Sequence, residues 1–119
     1  MMQEAFRIPL EAEFLEEIGV EPVRRDAGDT LELNLSEVTG ESLFLTTSET
    51  GRSVRIKWGE EKGEWAVDIF REGATCMRID SQHNRTSILI DFSLGATKGE
   101  LKLQIFPRVA ISDQQLFSQ

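Results

Sequence analysis

Arg52-Ser53-Val54-Arg55-Ile56-Lys57-Trp58, then Gly59-Glu60-Glu61-Lys62-Gly63, then Glu64-Trp65-Ala66-Val67-Asp68-Ile69-Phe70: this stretch decides the fold. On each side of a polar, glycine-flanked break, apolar side chains recur at every second position. That is the period of a strand with one covered face. Two such strands around a short break make a hairpin. Opposing Trp58 and Trp65 also sets Val54 against Ile69, Ile56 against Val67 and Arg55 against Asp68. The last is an opposite-charge pair on the other face. This register puts both tryptophans in the core.

The same period extends outward from this hairpin. Leu31-Leu33-Leu35, Ile88-Ile90-Phe92 and Leu101-Leu103-Ile105 alternate in the same way. Strands are predicted at 30–38, 42–47, 52–58, 64–70, 75–80, 86–92 and 100–106. Phe92 is expected opposite Leu101, with Pro107 ending the last strand because it has no N–H to donate. Residues 81–85 and 93–99 read as turns or loops. The tail from Val109 reads as a short helix or one more extended segment.

Pro9 to Ile18 reads as a short helix. Leu10, Phe14, Leu15 and Ile18 form one stripe, and Gly19 is placed to end it. Phe6-Ile8-Leu10-Ala12-Phe14 also alternates, which leaves an extended reading open. The expected fold class is therefore mainly β (α+β): a six- to seven-stranded antiparallel meander with one N-terminal helix, over about residues 9–18, packed on it. So short a helix covers only part of such a sheet. The sheet is expected to curl into a half-barrel or sandwich, or to be completed by a partner chain.

At 119 residues the chain is expected to form a single domain, 1–119. One cysteine, Cys76, rules out an internal disulfide. No apolar run is long enough to span a membrane. Met1 to Phe6 shows no basic and apolar leader pattern, so a cytoplasmic location is expected. The net charge is −8 and the pI about 4.7. That disfavours direct binding to nucleic acid, which needs clustered Lys and Arg. The acidity is uneven: residues 1–22 hold six glutamates against Arg7 alone.

Catalytic groups are sparse. The single histidine, His83, excludes a multi-histidine metal site within one chain. It reads as a solvated turn residue, and Cys76 as a small side chain in a strand. Gly95 to Gly99 lacks the Gly-Lys-Ser/Thr ending of a phosphate loop. No catalytic residue, metal ligand or cofactor site is assigned. Phe44, Ala66, Phe70 and Leu89 break the alternation. They belong either to a second covered face or to an exposed contact patch.

These features point to a small acidic protein-binding module. One form of it is an immunity or inhibitor protein that occludes a toxin or nuclease with a basic surface. Glu11, Glu13, Glu16, Glu17, Glu60, Glu61 and Glu64 are the side chains expected to meet that partner. Two other readings are a structural subunit forming a homo-oligomer and a small-ligand-binding β-barrel.

Overall fold

The structure is a computed structural model that describes residues 5–117. It is mainly β, with antiparallel strands in two open sheets. The first sheet holds β1 (Val23–Arg25), β2 (Thr30–Asn34), β3 (Leu43–Ser48), β4 (Ser53–Glu61) and β5 (Glu64–Glu72), in that order. The second holds β6 (Ala74–Gln82), β7 (Arg85–Leu94), β8 (Thr97–Phe106) and β9 (Ala110–Phe117). Each sheet is a meander, because every strand pairs with its neighbour in sequence. The described residues thus hold nine strands, and the tail is extended.

The inward phases of both sheets meet in one core. Leu31, Leu33, Leu43, Leu45, Val54 and Ile56 come from the first sheet. Met77, Ile88, Ile90, Phe92, Leu101, Leu103 and Ile105 come from the second. The alternate positions carry the polar side chains, as in a sheet with one covered face. Gly73, at φ +88°, carries the chain from β5 to β6 at the corner between the sheets. Its N–H and that of Ala74 both donate to the Arg52 carbonyl, at 3.0 and 2.9 Å.

The N-terminal helix, α1, spans Glu11–Glu17. Gly19 sits beyond it at φ +86°, donating to the Phe14 and Leu15 carbonyls. The apolar stripe is narrower than expected. Phe14 is fully buried and Ile18 packs on the core, but Leu10 and Leu15 are 71% and 54% exposed. Leu10 precedes the helix as its cap residue, and within Glu11–Glu17 only Phe14 is buried.

The first predicted strand stops short. Asn34 Oδ1 accepts the Ser36 N–H at 3.0 Å, and the Thr39 hydroxyl donates to the Leu35 carbonyl at 2.7 Å. These local bonds divert the backbone into a one-turn helix, α2 (Ser36–Thr39).

Both long hairpins keep the expected phase but shift register by two residues. Trp58 faces Val67, Ile56 faces Ile69 and Glu60 faces Trp65. In the second sheet Phe92 faces Gly99 and Ile90 faces Leu101. The cause is turn length. Lys62 and Gly63, at φ +55° and +81°, close the first hairpin in two residues; Gly95, at φ +62°, and Ala96 close the second. Residues assigned to loops therefore extend the strands.

Candidate functional site

The seven glutamates lie in two groups. The β3–β4 turn and the β4–β5 turn are at opposite ends of β4. Nine extended residues separate them by roughly 26 Å. The α1 group lies toward the first turn and the Glu60-Glu61-Glu64 group forms the second.

In the α1 group, two of the four glutamates have structural partners. Arg24 Nε donates to Glu11 at 2.8 Å, while its Nη1 donates to Glu49 at 3.0 Å and to the Gly28 carbonyl at 3.0 Å. Arg24 thereby ties α1 and the β3–β4 turn to β1. Hydrogen bonds from its guanidinium to Glu49 and then Glu11 hold its pKa above the usual arginine value. Glu13 reaches back to the N–H of Leu10 at 3.3 Å, the returning half of a capping box. Glu16 and Glu17 are exposed and make no ion pair among the described residues.

At the far end, Glu61 stands directly opposite Glu64 across the Lys62-Gly63 turn. Like charges in that position repel. Glu60 is on the same tip, opposite Trp65, and all three glutamates are exposed.

Trp65 is displaced from its expected place. It is in phase with Val67 and Ile69, yet its ring meets Phe44 edge-on at 5.7 Å and lies 5.9 Å from Lys57 Nζ. Phe44 lies between the buried Leu43 and Leu45 and so belongs to the outer face. Gly59 interrupts β4 just before the tip at φ +76°. A left-handed glycine within a strand marks a bend in the ladder. Trp58 remains against the core, with its indole N–H donating to Glu41 at 3.2 Å. Trp65 instead forms, with Glu32, Phe44, Thr46, Arg55 and Lys57, a shallow cleft of about 300 Å³ on the outer face.

Along the same face Arg55 binds Asp68 through two parallel bonds of 2.8 and 2.9 Å. The pair predicted from sequence forms, reached diagonally because the register is shifted. The guanidinium hydrogen bonds, with its charge and that of Lys57, hold the Asp68 carboxyl below the usual carboxylate range. Asp29 is lowered as well, by the hydroxyl and N–H of Thr50 and the Ser48 hydroxyl.

Sequence reasoning did not find the cleft between the sheets. Phe70, Arg71, Phe92, Leu94, Gly99 and Gln115 are among the residues around an open space of about 350 Å³. Arg71 crosses from β5 to pair with Asp113 of β9, with its guanidinium carbon 4.4 Å from the centre of the Phe92 ring. Phe70 and Leu94 remain 54% and 58% exposed on the rim. The sequence signal was Phe70, which breaks the alternation. Ala66 is likewise exposed, whereas Phe44 and Leu89 are half-buried.

His83 is exposed in the two-residue β6–β7 turn, and Cys76 is half-buried in β6. Among the described residues no group of three His, Cys, Asp or Glu side chains is arranged to hold a metal ion, and no helix is long and apolar enough to cross a membrane.

No protein-family model and no curated protein matches the sequence. The fold is similar to that of a chain in a solved complex described as a contact-dependent growth inhibition toxin–immunity protein complex from Klebsiella pneumoniae 342. The TM-score is 0.78 at 15% identity, covering 98% of this chain and 100% of that chain. At this identity the likeness is one of fold.

Proposed function

We propose that this protein is an immunity protein: a non-enzymatic inhibitor that binds a toxin domain with a basic surface in the cytoplasm and occludes it. The observation that carries the reading is the likeness of fold, over nearly the full length of both chains, to a chain from a toxin–immunity complex. The charge supports the inhibitor side of such a pair. A net charge of −8 attracts a basic partner over long range and speeds encounter. Glu16, Glu17, Glu60, Glu61 and Glu64 are exposed and free of ion pairs among the described residues, which leaves them available to a partner. Glu11 and Glu13 add to the same field while serving α1.

Occlusion requires only surface. The sparse catalytic inventory fits a protein that works by standing in the way of another active site.

The test is binding to the toxin domain of the protein encoded immediately upstream. A one-to-one complex is expected, with an association rate that falls at least tenfold between about 50 mM and 500 mM salt. Co-expression is expected to restore growth of cells making that domain. Absence of binding, or binding indifferent to salt, would overturn the proposal.

A further inference from the structure

The four sheet edges are not alike. β1 is only three residues long. β6 is bridged at its start, where Arg7 donates its N–H to the Thr75 carbonyl at 3.0 Å and accepts the Met77 N–H at 2.8 Å, which leaves only its second half as an edge. β9 presents Ser112, Asp113, Gln114 and Gln115, a polar edge. β5 differs from all three. It runs for nine residues, Glu64–Glu72, with no proline, glycine or lysine to blunt it. Among the described residues it pairs only with β4, and no other backbone hydrogen bond reaches it. An edge of that length is a template for another strand.

The faces of β5 specify what such a strand carries. Val67 and Ile69 share one phase, are half-buried and lie outside the buried core, and Arg71 continues that phase toward Asp113; the Trp65 ring has turned to the outer face. Glu64, Asp68 and Glu72 occupy the other phase, together with Ala66 and Phe70. Asp68 is matched by Arg55, while Glu64 and Glu72 have no ion pair among the described residues. A strand laid along β5 therefore finds Val67 and Ile69 on one face and, on the other, the Trp65 ring and unneutralised carboxylates.

We infer that the free edge of β5 takes an extended strand from the protein partner, with apolar and basic side chains in alternation, as a sixth strand of the first sheet. This rests on the immunity-protein reading for the partner's identity. A second copy of this chain is a poor occupant. Any face-matched pairing of two β5 strands sets both copies of Glu64, Asp68 and Glu72 on one face of the joined sheet. Each copy also brings a charge of −8. A basic strand relieves that repulsion, and strand addition supplies main-chain hydrogen bonds with alternate side chains setting specificity.

Amide hydrogen exchange read residue by residue by NMR tests this, with two probes used separately. The first is the upstream-encoded domain. The second is a nine-residue peptide alternating lysine and valine. With either probe, the β5 amides directed away from β4 are expected to slow at least tenfold. The double variant Glu64→Lys/Glu72→Lys is expected to weaken peptide binding at least tenfold while leaving the rest of the spectrum in place. If the domain binds and β5 exchange is unchanged, the edge assignment is overturned and the immunity reading stands. If the domain fails to bind but the peptide protects β5, the immunity reading falls and the edge assignment stands. Protection by neither probe overturns the edge assignment. A dimer protected at β5 without any probe overturns the choice of occupant.

Discussion

The β4–β5 and β7–β8 hairpins are built from nearly the same sequence device, yet they end in different places. Each joins two strands of nine or ten residues through a two-residue turn with glycine at a left-handed φ. Each alternates apolar and polar side chains. In β7–β8 both strands are covered: Ile88, Ile90, Phe92, Leu101, Leu103 and Ile105 are all buried. In β4–β5 only β4 is covered, through Val54 and Ile56, and no residue of β5 is fully buried. Alternation therefore sets which side chains share a face. Whether that face is covered depends on what the other sheet places across from it.

The largest contrast between the hairpins is expected from truncating matched residues. Ile90→Ala removes a fully buried side chain and should cost about 2–5 kcal/mol in urea unfolding. Ile69→Ala in β5 should cost under about 1.5 kcal/mol, because its side chain is already half-exposed. Equal losses would mean that β5 is packed as β7 is.

Glycine substitutions separate packing from backbone strain. A Cβ at Gly99 falls 2.7 Å from the Gln114 carbonyl oxygen and 3.1 Å from Arg71 Nη2, so Gly99→Ala should cost about 1–3 kcal/mol through overpacking. At Gly63 a Cβ meets open space, but φ is +81°, so Gly63→Ala should cost about 1–2 kcal/mol from conformation alone. Thermal unfolding of both variants checks the order.

The acidic tip should show a smaller effect of opposite sign. Glu61→Lys replaces a like-charge pair with Glu64 by an opposite one and should stabilise the hairpin by roughly 0.2–1 kcal/mol. The same change should slow association with a basic partner. A variant that is both more stable and slower to bind would identify the tip as a surface kept for recognition.

The smallest expected effect is acid dependence on the outer face. Asp68 has a lower pKa folded than unfolded, so its contribution is complete above the ordinary carboxylate pKa of about 3.9 and is lost as pH falls through its lower folded value. Carboxyl NMR should place its midpoint below that of a free aspartate. Asp68→Asn should remove its part of the acid limb of the stability curve. An ordinary midpoint would show that the Arg55 bonds do not persist in solution.

Much of the architecture was legible in residue order. The strand phases, the Arg55–Asp68 pair, the N-terminal helix and the glycine ending it all follow from local spacing. Register was harder to read, because Gly59, Glu60 and Glu61 look like loop residues while the turn itself needs only Lys62 and Gly63. Of the candidate site, the exposure of the seven glutamates was readable from composition and phase. Their division between two ends of a sheet was not, because it depends on where α1 docks. The edge position of β5 was equally hidden, since a central strand and an edge strand can share one pattern.

By itself, then, the sequence determined which side chains point together, because the two-residue strand period and the short helix stripe are local properties of the backbone. Only the tertiary structure decided which of those faces are covered, where Trp65 turns outward and which edge is left open. Those outcomes depend on how two sheets meet around one core, and that core is assembled from residues far apart in the chain.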